Sequence, residues 1–228
     1  MVTVASLFAD NVAADPARPM LTWYSEAERT ELSGATLANW VSKTANLLVD
    51  ELGLGPGDVA GVNLPPHWQT SSILLACWTA GLAVTHRGGN ADVSFGLPGN
   101  VCDYVVGLHP LGLPVKELEA GQRDWVLAAR VHGDRYAGPP ADADAPALVG
   151  LPQPVSHADL AALALARAAD LGLEGKRVLI DVGAHPRPLD WLLAPVAGRA
   201  TLVLCQGIQD LAKVAATERA TILETAID

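Results

Sequence analysis

The spacing of hydrophobic positions changes several times along the chain, and each change predicts a new element. Apolar residues on one helical face predict a short amphipathic helix at the start, and two short apolar runs separated by polar residues predict a hairpin. Steps of three and four residues then predict a longer helix, followed by a buried strand and a helix that is apolar nearly all round. These predicted elements are a helix over residues 1–14, strands at Met20–Tyr24 and Thr30–Leu32, a helix over 37–52, a strand at Val59–Leu64 and a helix at Trp68–Ala80.

The second part of the chain alternates more regularly. After candidate strands at Ala91–Phe95 and Cys102–Gly107 and a short helix at Gln122–Arg130, residues 133–145 are rich in Gly, Pro and Asp and are predicted to be a linker. A βαβαβα pattern follows, which is typical of a parallel sheet with helices on its faces. Its predicted elements are the strand Pro146–Gly150, helix Ser156–Leu171, strand Arg177–Val182, helix Leu189–Ala197, strand Ala200–Cys205 and helix Gln209–Ala216.

These patterns predict an α/β fold with mostly parallel sheets flanked by helices. We expect an N-terminal α/β subdomain with an opening hairpin over residues 1–132, the linker over 133–145, and a βαβαβα subdomain over 146–228.

Composition narrows the class of protein. Half of the 228 residues are apolar and 18% are charged, which is typical of a globular chain. The formal charge of −10 argues against binding a nucleic-acid backbone. The longest apolar run, Ile73–Val84, falls short of the ~20 residues that a membrane span needs. With no basic leader, a cytoplasmic location without membrane association is expected, and Cys77, Cys102 and Cys205, which form no CxxC pair, are predicted to be buried free thiols.

Most motifs that suggest chemistry have a structural explanation. Gly53, Gly55 and Gly57 follow a helix and precede a strand, the reverse of a phosphate-binding loop, so they predict a turn. The six histidines show no HxxxH spacing, and no metal site is predicted. The run Ser156-His157-Ala158-Asp159 predicts a capped helix start and no catalytic triad, with His157 at a position from which it can face a ligand.

Two interpretations are possible for His185, and two for the tryptophans. His185 follows a predicted strand at the end where open α/β sheets bind ligands, so it is either a solvated loop residue or a functional one. Trp68, Trp78 and Trp191 lie among apolar residues, where core packing is favoured over a stacking platform.

Several segments, read in order, resemble the adenylate-forming superfamily of AMP-binding acyl-CoA synthetases, luciferases and adenylation domains. The resemblance begins with an opening hairpin and helix and continues through a glycine-rich turn into an apolar helix. The matching segments are RPMLTW at 18–23, LSGATL at 32–37, ANLL at 45–48, LGLGPGDVAG at 52–61, LPPHW at 64–68 and CWTAGLA at 77–83. It resumes with DAPALV at 144–149, VSHADL at 155–160, GKRVL at 175–179 and LLAPVAGRATLVL at 192–204.

The family's diagnostic phosphate loop, rich in Ser, Thr and Gly and ending in Pro-Lys-Gly, is absent from its expected place. Only Gly150-Leu151-Pro152-Gln153-Pro154 stands there. The chain also stops at Asp228, before the family's adenine, magnesium and ribose motifs and its C-terminal domain with the catalytic lysine. The resemblance aligns His185 with a histidine that lines the acyl pocket of acyl-CoA synthetases.

The resemblance therefore implies a catalytically degenerate, shortened adenylate-forming fold that binds a ligand or a protein partner. No catalytic residue and no cofactor is assigned, and strong ATP or AMP binding is not expected. A homo-oligomer is expected, because loss of half the fold should expose an apolar face. The alternatives are a ligase-type enzyme completed by another subunit, and an interaction module with no ligand. The candidate ligand site consists of Pro152, Ser156, His157, Gly183 and His185.

Overall fold

The computed structural model describes residues 1–26, 28–86 and 90–224, which form two sheets with helices packed on them. The strands are β1 (Pro19–Tyr24), β2 (Arg29–Ser33), β3 (Val59–Asn63), β4 (Ala83–Thr85), β5 (Val93–Gly96), β6 (Tyr104–Val105), β7 (Arg123–Asp124), β8 (Pro146–Leu148), β9 (Val155–Ser156), β10 (Arg177–Asp181), β11 (Thr201–Cys205) and β12 (Thr221–Ile222). The helices are α1 (Val4–Ala14), α2 (Gly34–Asn46), α3 (Trp68–Thr79), α4 (Trp125–Arg130), α5 (His157–Asp170), α6 (Ala194–Ala197) and α7 (Leu211–Glu218). π-Helical turns at Leu47–Glu51 and Leu189–Leu193 follow α2 and precede α6.

The helices form where the periodicity predicts them. Leu37 and Val41 are buried on one face of α2, and the Ser33 side chain caps its start by accepting a hydrogen bond from the Thr36 amide (3.2 Å). The turn after the helix contains Gly53 and Gly57, both with positive φ, so the glycine-rich segment is a structural turn, as predicted. Within the described residues, no helix is long and apolar enough to cross a membrane.

The first sheet has five strands in the order β12-β10-β11-β1-β2. The hairpin partners β1 and β2 are antiparallel, and the other pairs are parallel. The opening hairpin therefore completes a sheet whose remaining strands come from the last quarter of the chain.

The second sheet has seven strands in the order β7-β6-β5-β3-β4-β8-β9. All its pairs are parallel except β8 with β9. The strand order reverses at β3, because β4 pairs on one side of it and β5 on the other. The fold class is thus the predicted one: two mostly parallel sheets flanked by helices.

The βαβαβα pattern predicts a parallel sheet from the strands near residues 146, 177 and 200, but the first of these strands lies in a different sheet from the other two. β8 pairs with β4 through Val84 and Leu148, not with β10, and it turns back into the unpredicted strand β9. Alternation along the chain identifies strands but not their neighbours, which depend on long-range packing. The division into 1–132 and 146–228 stays a prediction, although both sheets contain strands from each side of it.

The predicted linker is held against the body of the protein. The Asn46 side-chain amide donates to the carbonyls of Gly133 (3.0 Å) and Arg135 (2.9 Å). Near its other end, the carbonyls of Ala143 and Ala145 accept from the first amides of α5. The proline- and glycine-rich residues of this segment therefore form turns that are held in place by hydrogen bonds to α2 and α5.

One large core cluster contains residues of both sheets, and a smaller one lies on the other face of the five-stranded sheet. In the smaller cluster Leu179, Val203 and Cys205 are fully buried, with Ala215 of α7 beside them. The expected exposed apolar face is therefore not present on this sheet in the described part of the chain, because α7 covers the apolar centre of that face. The homo-oligomer stays a prediction without this argument for it.

Candidate functional site

The five predicted site residues lie at three separate places. Pro152 is exposed in the turn between β8 and β9. Ser156 pairs with Pro146 at the amino end of β8, and the His157 amide donates to the Ala145 carbonyl (3.0 Å), just before that strand. Pro152 therefore lies at the opposite end of β8 from Ser156 and His157.

Ser156 and His157 have structural surroundings. The Ser156 hydroxyl caps α5 by accepting from the Asp159 amide (3.1 Å) and donates to the Asp159 carboxylate (2.7 Å), so the predicted cap is confirmed. The His157 side chain is fully buried, and neither ring nitrogen makes a hydrogen bond of normal geometry with a described residue. Burial lowers the pKa of His157, and the backbone of Gly81 opposes that shift. The position does not face solvent.

Gly183 and His185 follow β10 at its carboxyl end. The Gly183 amide donates to the Asp181 carboxylate (3.0 Å), and the His185 amide donates to the Asp181 carbonyl (3.0 Å). The solvated interpretation of His185 is wrong, because the residue is only 5% exposed. Its Nε2 atom is buried without a hydrogen-bond partner among the described residues.

A cavity of about 210 Å³ lies between the connections that leave the two sheets. We call it the Trp191 cavity. One wall follows β3 and α3, and the other is the segment just after His185. It is lined by Val62, Asn63, Leu64, Pro66, Thr70, Leu74, His86, Pro186, Pro188 and Trp191.

Trp191 is the feature of this cavity that sequence reasoning missed. The residue is 1% exposed, as predicted for a core tryptophan, but its indole N–H has no hydrogen-bond partner among the described residues. The indoles of Trp68 and Trp78 instead donate to the carbonyls of Pro110 (2.9 Å) and Ala147 (3.0 Å). A buried donor without a partner costs about 1–3 kcal/mol, so Trp191 is a position where a ligand acceptor is expected. No sequence signal distinguishes it from the other two.

The chemistry available around the Trp191 cavity is hydrogen bonding and apolar contact. Of the described residues that line it, none is Lys, Arg, Asp or Glu. Across the described part of the chain, no group of three or more His, Cys, Asp or Glu is placed to hold a metal ion. None of the five predicted site residues lines this cavity, although Pro186 follows His185 directly.

The order and geometry of these elements define a class of protein. Residues 8–88 match the family described as AMP-binding enzyme. Two solved structures share the fold over nearly the whole chain: Brucella canis acyl-CoA synthetase (TM-score 0.71, 15% identity, 97% of this chain and 47% of that one) and the Klebsiella oxytoca NpsA N-terminal subdomain in complex with 3-hydroxybenzoyl-AMSN (0.63, 16%, 97% and 59%). A third, the AMPPNP-bound nonribosomal peptide synthetase FmoA3, has a TM-score of 0.72 at 18% identity over 96% of this chain and 25% of that one.

The fold is therefore that of the N-terminal subdomains of adenylation enzymes, in the AMP-binding superfamily. A relative from Mycobacterium tuberculosis (strain ATCC 25618 / H37Rv), named TIGR03089 family protein, is 37% identical over 211 residues, covering 83% of this chain and 84% of that protein. The chain belongs to the TIGR03089 family. It spans between a quarter and about three fifths of the length of the three solved structures.

Proposed function

We propose that this protein is a noncatalytic member of the AMP-binding superfamily that binds a small uncharged organic ligand in the Trp191 cavity. The observation that carries the proposal is the buried indole N–H of Trp191, which has no hydrogen-bond partner among the described residues and belongs to a side chain that lines this cavity. A ligand with an apolar body and one acceptor oxygen satisfies both features.

The turn between β8 and β9 supports the absence of catalysis. Adenylation places a triphosphate against a donor-rich loop and a lysine, which stabilise developing charge. Here Pro152 and Pro154 lack an amide N–H, and Gly150 has a φ of +79°, which favours glycine. A Cβ at Gly150 would lie 2.8 Å from Thr85 Oγ1, so only glycine lets the turn lie this close to β4. The turn from Gly150 to Pro154 also contains no lysine.

Calorimetric titration with three probes tests the proposal. Methyl 3-hydroxybenzoate is an uncharged acceptor, 3-hydroxybenzoyl-AMSN is the molecule bound to the NpsA subdomain, and AMPPNP is the molecule bound to FmoA3. We expect the ester to bind, AMPPNP to give no heat of binding, and pyrophosphate exchange to be absent. Pyrophosphate exchange would overturn the proposal in favour of a ligase-type enzyme.

A matched pair of variants locates the binding. Trp191→Phe removes the N–H that has no described partner and should weaken ester binding about tenfold, the effect of one lost hydrogen bond. Trp78→Phe makes the same chemical change where the indole already donates to Ala147, and should leave the affinity unchanged. If none of the three probes gave a heat of binding and the sedimentation coefficient rose with protein concentration, the ligand proposal would be overturned in favour of an interaction module.

A further inference from the structure

A second cavity, of about 240 Å³, lies at the carboxyl ends of β3, β4 and β5. We call it the Asn100 cavity. Its floor is formed by the ends of these strands, and its rim by the turn that follows β5. It is lined by Gly61, Val62, Asn63, Thr85, His86, Ala91, Ser94, Phe95, Gly96, Asn100, Val101 and Cys102.

The position of this cavity in the topology points to ligand binding. The order of the seven-stranded sheet reverses at β3: the chain crosses to β4 on one side and later to β5 on the other. In open α/β sheets, ligands bind outside the carboxyl ends of the strands where the order reverses. The Asn100 cavity occupies that place in the sheet, whereas the Trp191 cavity lies between the two sheets.

The hydrogen bonds around the cavity fix one donor and one acceptor. Asn100 Oδ1 accepts from the Leu97 amide (3.0 Å), so its side-chain nitrogen is the remaining donor, and no described residue accepts from it. His86 Nδ1 lies 3.1 Å from the Val62 carbonyl, which only accepts, so Nδ1 carries the proton. In the neutral ring, Nε2 is then an acceptor.

The rest of the described lining carries no formal charge and is partly apolar. None of the described residues around the Asn100 cavity is Lys, Arg, Asp or Glu, while Phe95, Val62 and Ala91 supply apolar surface. A donor and an acceptor beside apolar surface complement a ring compound whose amide supplies both a carbonyl and an N–H. The volume is slightly below the ~300 Å³ of small ligand sites, which limits the occupant to about one ring.

We propose that the Asn100 cavity is a second ligand site, which adjoins the Trp191 cavity along Val62, Asn63 and His86, and that it binds an uncharged single-ring carboxamide or lactam. The ligand carbonyl accepts from the Asn100 side-chain nitrogen, and the ligand N–H donates to His86 Nε2.

Cys102 provides a local readout of occupancy. It lines the cavity and is half-buried, contrary to the prediction that all three thiols are buried, while Cys77 and Cys205 are fully buried. Alkylation of the native protein by iodoacetamide, followed by peptide mass mapping, should therefore modify Cys102. Burial raises the pKa of this thiol, so the reaction is run at alkaline pH.

Benzamide is the probe, with two control compounds. We expect benzamide to slow alkylation of Cys102 in proportion to its occupancy. Methyl benzoate keeps the carbonyl but lacks the N–H, and benzoate carries a charge, so each should protect at concentrations at least about tenfold higher. Equal protection by the three compounds, or none by benzamide, would overturn the proposal.

Variants separate this site from the proposed function. Asn100→Asp keeps the oxygen that accepts from Leu97 and replaces the N–H donor, so benzamide protection should weaken about tenfold while ester binding in the Trp191 cavity stays unchanged. Trp191→Phe should have the reverse effects. Unchanged protection in a folded Asn100→Asp protein would refute the inference. If that variant does not fold, Ala91→Leu, which fills the cavity, should abolish benzamide binding measured by calorimetry, and binding that persists would refute it.

Discussion

Polar groups are hydrogen-bonded to one another in one region of the molecule, and in a second region buried polar groups have no described hydrogen-bond partners. On the outer face of the five-stranded sheet, the carboxylate of Glu218 accepts from the Tyr24 hydroxyl (2.6 Å), from Arg29 Nε (2.9 Å) and from Arg177. We call these four residues the Glu218 network. Where the connections leave β3 and β10, by contrast, His67 Nε2, His185 Nε2 and the Trp191 indole N–H are buried without described hydrogen-bond partners.

The difference indicates which region is structural and which is free to bind. The bonds that Glu218 accepts join α7 to the sheet, and Arg29 also donates to Tyr24 between two strands, so these polar groups are already hydrogen-bonded within the fold. At the strand connections the buried polar atoms have no hydrogen-bond partner among the described residues, so their hydrogen-bonding capacity remains available to a ligand. Because the two regions contain different ionisable groups, they should also lose stability in different pH ranges.

The largest expected effect comes from His67. Its Nδ1 accepts from the Gln69 amide (3.2 Å), its ring contacts Trp23 edge-on, and burial lowers its pKa to about 3. The unfolded chain, with a pKa near 6.5, binds a proton first. The free energy of unfolding should therefore fall by roughly 1.4 kcal/mol per pH unit as the pH drops from 6.5 toward 3.

The variant His67→Asn isolates this contribution, because asparagine also caps helices. Urea unfolding between pH 7 and pH 4 should show a slope smaller by about 1.4 kcal/mol per pH unit in the variant, while the buried His157 adds slope in the same direction to both proteins. Parallel slopes for the two proteins would refute the assignment.

The Glu218 network gives the next largest effect. Burial acts to raise the pKa of Glu218, but hydrogen bonds from Arg29, Tyr24 and Arg177 outweigh it and lower the pKa to about 2. Glu218→Gln should cost about 3 kcal/mol of unfolding free energy at pH 7, since it removes the charge that both arginines face.

The pH dependence of that variant distinguishes it from His67. A lowered carboxylate pKa stabilises the fold above the unfolded value near 4.5, and this stabilisation is lost as the pH falls toward 2. The difference between the wild-type protein and Glu218→Gln should thus be constant from pH 7 to about 5 and shrink below 4.5. A difference that shrinks already between pH 7 and 5.5 would contradict this account.

The two regions also differ in how far the sequence predicts them. Local signals were sufficient for elements that depend on near neighbours, such as the α2 periodicity, the Ser156 cap and the turn at Gly53. The strand β4 was missed because Ala83–Thr85 continues an apolar run that begins inside α3. The pairing of β8 with β4, and of β1 with β11, joins distant segments that no local pattern connects.

The candidate site was predicted only in part, for a related reason. Sequence reasoning identified the strand end near His185 and the missing phosphate loop, but it joined Pro152 with Ser156 and His157, which lie at opposite ends of β8. It also treated Trp191 as an ordinary core residue. An indole N–H without a partner is a property of three-dimensional surroundings, so no composition or spacing reports it.

The tryptophans give a smaller effect that tests this distinction directly. Trp78→Phe removes a satisfied buried donor and leaves the Ala147 carbonyl without its partner, so it should lower the unfolding free energy by about 1–2 kcal/mol. Trp191→Phe removes the same ring volume but also a donor that has no described partner, so it should be less destabilising than Trp78→Phe by about 1–2 kcal/mol. Thermal unfolding of the two variants without ligand makes the comparison, and equal losses would show that Trp191 is bonded in solution.

Ser156 gives the smallest effect and tests the comparison at the amino end of β8. Its hydroxyl is fully used within the fold, accepting from the Asp159 amide and donating to the Asp159 carboxylate. Ser156→Ala should therefore cost about 1 kcal/mol, and Ser156→Asn, which restores a capping oxygen, should recover most of it. Ester binding should be the same in both variants, because a side chain whose hydrogen bonds are already made has none to offer a ligand. If both variants bound the ester more weakly, loss of the hydroxyl and not of the cap would be the cause, and Ser156 would belong to the binding site. The distinction between polar groups bonded within the fold and those without described partners would then fail.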